Sequence, residues 1–524
     1  MNWLRSLTLV GLLLLPAVGV HAQDSADCPE DSPRMDDARY LRALSLDLRG
    51  DLPSGDELAL VAEDPGQIEG FIDQWLASEE FVERAVRLHG SLLWPNISNV
   101  NLINASSTLF RSNGNASYWN RQRSTMYRGG QEGCLDEPLE VIDGIIQTTY
   151  DPVTETHREG YVWVAPYYDP QNPVKVCGFD AQTAEVSPTG TQCNTRDGFG
   201  DVDCGCGPNL NYCRVGNNAL PEVLRSFGTD VEMRIARVIR EDRSYLELFT
   251  SREAYVNGPL VHYWKNQTEV HAGVRLKPLP VPAEQLPDLE FSDDDTWQSI
   301  QLGEEHAGIL TSPLFLLRFQ TGRARATRFS TAFLCQPYSP PEVGIDVGVE
   351  ENALIQDLQD RPGCEACHTL LEPDAAYWGR WTEAGAGYLA PETFPSESSE
   401  CYECATTGAL CSDDCNRYYV VSPLSDESEE FLGMLKAYEF REEAHMSNPE
   451  LGPKRLVTSA VAEASGRLPA CVSRTAASYL LGRELDEEQT LWVEDLSTKF
   501  VGSGFSYRAL IREIVTSPVY RSLR

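Results

Sequence analysis

Ile68-Glu-Gly-Phe71-Ile72-Asp-Gln-Trp75-Leu76 places apolar side chains at i, i+3, i+4, i+7 and i+8. That spacing is one face of an amphipathic helix, not the two-residue alternation of a strand. The same reading extends in both directions. Upstream, Ser54-Gly-Asp-Glu57 is a capping box ahead of Leu58, Leu60 and Val61, and Pro65 ends that helix. Downstream, Phe81, Ala85, Leu88 and Leu92 form the next face. Val231, Ile235, Val238 and Ile239 share another, and Tyr245, Leu246 and Phe249 begin a further segment. Ile309, Leu310, Leu314 and Leu317 mark a helical stretch at 305–335. From 454 to 524 the helices are separated by Gly466, Gly482 and Gly502 to Gly504. The chain therefore reads as mainly α.

One region breaks the pattern. Over 96–220, Asn, Gly, Ser and Tyr replace the helical period, and six cysteines appear (134, 177, 193, 204, 206, 213). Tyr161-Val-Trp-Val164 is its clearest strand. This reads as a loop-rich, disulfide-stapled insert. Pro278 to Asp295 and Pro337 to Asp346 read as linkers. At 524 residues the chain exceeds the roughly 250–300 that one core usually serves, so several domains are expected.

Charge and targeting narrow the setting. There are 79 acids against 43 bases, for a formal charge of −36. Such a surface argues against nucleic acid, whose binding relies on Lys and Arg neutralising phosphates. It argues equally against docking on an anionic membrane. Residues 1–22 read as a signal peptide, with Arg5 before an apolar run from Leu7 to Val20 and a Val20-His21-Ala22 cleavage site. The apolar run is shorter than the ~20 residues a span needs. The expectation is an exported protein, periplasmic or secreted, from a Gram-negative bacterium, with no membrane span after cleavage. Export makes disulfides the default for most of the 15 cysteines.

Cys364-Glu-Ala-Cys367-His368 is C-x-x-C-H, the c-type haem attachment motif. Two cysteines three apart can form thioethers to the two vinyl groups of one porphyrin. The adjacent His368 then lies under the ring as proximal iron ligand. The expected cofactor is one covalent haem c per chain. Other readings of the pair are a redox dithiol, a structural disulfide, or half of a zinc site with Cys401 and Cys404. For the distal iron position Met446 ranks first, in a polar break before Pro449; Met434, His445 and His306 are alternatives, as is an open site. Cys401, Cys404, Cys411 and Cys415 form a second cluster, read as two disulfides with a zinc knot as the alternative. Setting aside Cys364 and Cys367 leaves 13, so one cysteine must lack an intrachain partner. No G-x-S-x-G, H-E-x-x-H or P-loop is present, so a hydrolase is not indicated.

With these segments in hand, the chain resembles the multidomain cytochrome c-like proteins of planctomycetes and myxobacteria, built from domains of unknown function. Tyr40-Leu-Arg-Ala-Leu-Ser-Leu-Asp-Leu-Arg-Gly-Asp-Leu-Pro-Ser54 looks like their N-terminal opening. Arg237 to Phe249 with Tyr255-Val-Asn257 looks like their central helical domain. Ala307-Gly-Ile-Leu-Thr-Ser312, Pro340-Pro341 and Cys364 to His368 look like their haem-motif domain. Cys471, Gly482-Arg483 and Thr516-Ser-Pro-Val-Tyr-Arg521 look like their C-terminal domain. The resemblance implies an exported haem-binding or electron-transfer protein and carries the haem roles onto Cys364, Cys367 and His368. One departure falls beside the motif: Glu372-Pro373-Asp374 keeps the family's Pro but lacks its following Gly, and Trp378-Gly-Arg-Trp381 follows.

The expected architecture is a multidomain helical protein with a c-type haem segment and the stapled insert. Its segments are the signal peptide (1–22), an N-terminal helical domain (23–95), the cysteine-rich insert (96–220) and a central helical domain (221–295). A cytochrome c-like haem-motif domain with the cysteine cluster (296–450) and a C-terminal helical domain (451–524) complete it. The expected function is electron transfer, with a basic redox protein as partner. A haem-dependent oxidoreductase acting on a small molecule, or an envelope binding or structural protein, are the alternatives.

Overall fold

The computed structural model describes residues 34–522, except 99, 104–106, 112–117, 122–132, 217–218, 267–280, 339–354, 438–451 and 463–465. The signal segment lies outside the described residues. Helix accounts for 48% of residues and strand for 12%, so the chain is a helical body carrying a β-rich insert.

The first four helices are Asp37–Leu48, Gly55–Glu63, Gln67–Leu76 and Glu79–Leu93. Ser54 and Glu57 close the capping box in both directions. The Gln67–Leu76 helix buries Ile68, Ile72, Trp75 and Leu76, with Phe71 partly covered. The central helix starts at Pro221, ten residues ahead of Val231, where the apolar period that marks it in sequence begins. Proline is favourable there because the first helical N–H has no intrahelical acceptor. The helix runs to Arg240 and buries Val231, Ile235, Val238 and Ile239. The stretch read as helical at 305–335 resolves into a 3-10 turn, Gly308–Thr311, and two α-helices, Pro313–Arg318 and Gly322–Phe333. At the C-terminus, Gly466 and Gly482 bracket the Arg467–Leu481 helix in left-handed conformation.

These helical segments share one apolar core. It runs without interruption from Tyr40 through Phe227, Phe249, Leu310, Phe329 and Trp378 to Phe500 and Tyr520. The described ends of the chain meet: Arg34 bridges Ser522, and the Tyr40 hydroxyl donates to the Val515 carbonyl at 2.8 Å. A disulfide joins Cys335, just after the Gly322–Phe333 helix, to Cys471 in the C-terminal segment.

The insert carries its own smaller clusters and a five-stranded sheet. The strand order is Tyr161–Val164, Val174–Cys177, Trp119–Arg121, Thr108–Arg111, Arg214–Val215. Tyr161 faces Cys177 in antiparallel register, and Trp119 faces Val176 in parallel register. All six of its cysteines pair within it, as 134–177, 193–204 and 206–213. Arg121 and Asp180 form a buried ion pair at 2.7 Å within it.

Among the described residues, no helix is long and apolar enough to cross a membrane. Six disulfides suit an oxidising compartment.

Candidate functional site

The Cys-x-x-Cys-His run opens a helix, Glu365–Ala376. Arg361-Pro362-Gly363-Cys364 makes the turn into it. Pro362 suits the second turn position, Gly363 takes φ +82° in the third, and the Cys364 N–H closes on the Arg361 carbonyl at 2.9 Å. The His368 N–H then bonds the Cys364 carbonyl at 3.1 Å. Positions i, i+3 and i+4 of one helix face the same way, so Cys364, Cys367 and His368 share a surface. All three are half-buried, and Leu370 is 64% exposed. Neither Cys364 nor Cys367 enters any of the six disulfides.

His368 is held by its own helix. Its Nδ1 donates to Glu372 Oε1 at 2.6 Å, one helical turn on. The same oxygen accepts from Arg323 Nε at 2.7 Å, on the Gly322–Phe333 helix packed alongside. The Glu372 side chain is 2% exposed and that of Arg323 50%. A carboxylate this buried needs both partners, because removing it from water unpaired costs several kcal/mol. Among the described residues, His368 Nε2 has no hydrogen-bond partner. Asp374, two residues on, accepts from the Tyr338 hydroxyl at 2.5 Å. Burial pushes that phenol above its ordinary range, and the Asp374 bond adds to the effect.

Beside the motif helix lies a cleft of about 840 Å³, lined by Arg323, Glu372, Trp378, Trp381, Arg417 and Lys436 among others. One wall is the small cysteine-rich unit. There Cys401 pairs with Cys415 and Cys404 with Cys411, around Phe394, Tyr418 and Leu435. This corrects the zinc alternatives. Cys401 and Cys404 have their sulfurs committed to disulfides, so they can form neither a zinc knot nor a zinc site with Cys364 and Cys367. The opposite wall is fixed by Arg325, wholly buried. Its guanidinium donates to the carbonyls of Trp381 (3.1 Å), Thr382 (2.8 Å), Gly385 (3.2 Å), Leu316 (3.2 Å) and Phe319 (2.9 Å). Trp378 is anchored too, donating from Nε1 to the Leu310 carbonyl at 3.0 Å.

The cysteine count closes. Twelve of the 15 cysteines are in the six disulfides and two are in the motif; Cys28 lies outside the described residues.

Of the distal-ligand candidates, Met446 and His445 lie outside the described residues. His306 is 3% exposed, its ring 5.0 Å from Trp381. Burial lowers its pKa to about 3. Met434 is half-buried in a bridge to Glu397 within the cysteine-rich unit. No hydrogen bond, ion pair or ring contact among the described residues joins either to His368.

The triplet fits a covalent haem. Its sulfurs are outside the disulfides, it shares one face, and its imidazole is held through Nδ1 with Nε2 left for iron. The sequence reading missed the Glu372–Arg323 support; its one signal is the His-x-x-x-Glu spacing, which puts Glu372 one turn beyond His368. No protein-family profile, curated protein or solved structure matches the chain.

Proposed function

We propose that this is an exported mono-haem c-type electron-transfer protein of the multidomain cytochrome c-like kind. Cys364 and Cys367 attach the porphyrin and His368 ligates the iron. The observation that carries the reading is the motif itself: C-x-x-C-H at a helix start, its cysteines outside the disulfides and its imidazole tethered through Nδ1. The haem supplies reversible one-electron chemistry. The chain supplies attachment, a fixed imidazole and an acidic exterior. That exterior, at −36, suits a basic redox protein as partner and an association that weakens with salt. The disulfides suit the periplasm or the exterior as its place of work.

A second reading is supported by the cleft of about 840 Å³, large enough for a small organic molecule. In it the haem serves an oxidoreductase reaction beside the cleft.

The test is the optical spectrum of the protein exported from a host that attaches c-type haem. The parent shows a haem Soret band that stays with the chain in denaturing gels. Cys364→Ser with Cys367→Ser loses the covalent signal entirely. A parent without that band contradicts both readings. A high-spin iron that binds added small ligands favours the second over the first.

A further inference from the structure

We propose that Glu372 and Arg323 form an opposed pair of positioning residues that sets the donor strength of His368, and with it the reduction potential of the site. The inference rests on the haem reading above and goes beyond it by naming the groups that tune the iron.

Three features of the geometry carry it. First, the Glu372 carboxylate accepts a hydrogen bond from His368 Nδ1 at 2.6 Å. That fixes the tautomer with the proton on Nδ1, so Nε2 is the only ring nitrogen able to ligate. A carboxylate acceptor also makes the imidazole a stronger donor than a neutral carbonyl would. Second, Glu372 is 2% exposed, so its charge acts on the ring with little screening by water. Third, Arg323 reaches the same oxygen, Oε1, at 2.7 Å. The cation withdraws from the atom that feeds electron density to the imidazole. The two side chains therefore act on His368 in opposite directions. Glu372 favours oxidised iron, and Arg323 moderates it. A pair built only to hold the two helices together gives no reason for both donors to share the oxygen that faces the histidine.

Electron-transfer potentials are set by such hydrogen bonds around the axial ligand. The experiment is potentiometric titration of the exported haem protein, with haem content read from the absorption spectrum. Glu372→Gln removes the charge but keeps an acceptor, and its midpoint potential rises above the parent's. Arg323→Met leaves the carboxylate unopposed, and its midpoint falls below the parent's. Arg323→Lys, which restores a cation, returns toward the parent value. Shifts of opposite sign are not produced by mere loosening of the helix contact. Equal potentials in all the proteins, or shifts of the same sign in Glu372→Gln and Arg323→Met, overturn the proposal. If Glu372→Gln fails to fold, the Met and Lys variants at Arg323 still decide it, since the proposal requires a fall in one and its reversal in the other. A parent with no covalent haem overturns the haem reading and this inference with it. Haem-loaded proteins with unchanged potentials overturn this inference alone.

Discussion

Arg325→Met unfolds at markedly lower denaturant than the parent, with a loss of about 3–5 kcal/mol, because several buried carbonyls lose a charged donor at once and hydrogen bonds to charged groups are worth about 1.5–3 kcal/mol each. The reason is the carbonyl array. Arg325 is fully buried, makes no ion pair among the described residues, and donates to five backbone oxygens. Burial lowers its pKa to about 10, partly offset by the charge of Glu383, so the group remains a cation at neutral pH. Methionine matches the aliphatic length but satisfies none of those oxygens, and each buried acceptor left unpaired costs about 1–3 kcal/mol. Three of them, in Trp381, Thr382 and Gly385, belong to the loop that walls the cleft. The variant therefore loses order there first, seen as faster hydrogen exchange across 381–387. A loss below about 1 kcal/mol, measured by equilibrium denaturation, contradicts this account of the wall.

Acid destabilises the protein well before its carboxylates titrate. His89 is buried, His262 is half-buried between aromatic rings, and both are neutral. His89 donates from Nδ1 to the Ala85 carbonyl at 2.7 Å and accepts from the Tyr245 hydroxyl at 2.9 Å, with Tyr507 against its ring. Burial lowers its pKa to about 4. His262 stacks on Tyr167 at 3.8 Å and meets the edge of Phe291. Burial, then the charge of Arg214, lowers it to about 3. Both folded values lie below the unfolded value of 6.5. Below 6.5 the unfolded chain binds more protons than the folded one. Stability is thus complete above that pH and falls as pH drops toward 4. His306, which burial also lowers to about 3, belongs with them, and each histidine contributes about 1.4 kcal/mol per pH unit across the window, so the three remove about 6 kcal/mol between pH 6.5 and pH 5. Denaturation curves at pH 7, 6 and 5 measure it, and His89→Gln lowers the slope by about a third. A flat stability over that range contradicts the buried-neutral assignment.

Much of the helical body was legible because its signals are local. The capping box at Ser54, the apolar face from Ile68 to Leu76 and the glycine breaks at Gly466 and Gly482 all act within a few residues. The six pairing cysteines of the insert were legible as a set but not as pairs, because spacing alone does not choose among the possible pairings: two bridges span only 11 and 7 residues while 134–177 spans 43. The same holds for the body. Periodicity marks Val231 and Leu310 as buried but is silent on their joining one core with Tyr40 and Tyr520. At the site, Cys364, Cys367 and His368 stand out by spacing alone. Arg323 and Arg325 do not. They alternate with alanine in Gly322-Arg-Ala-Arg-Ala and look alike, yet one is half exposed on Glu372 and the other is buried under five carbonyls. Only the packing of the Gly322–Phe333 helix against the motif helix and the 381–385 loop separates their roles. Glu372 stands in the sequence only as the residue before Pro373; its bond to His368 and its contact with Arg323 come from the helix and its packing.

One covalent haem on Cys364 and Cys367 is what the proposed function stands on. The most direct measurement is the intact mass of the exported protein, followed by peptide mapping across 361–380. The expected result is a mass increment of one haem, located on the peptide containing Cys364-Glu-Ala-Cys367-His368 and absent from the double serine variant. An exported, folded protein whose mass equals that of the chain alone, with both thiols open to alkylation, contradicts it.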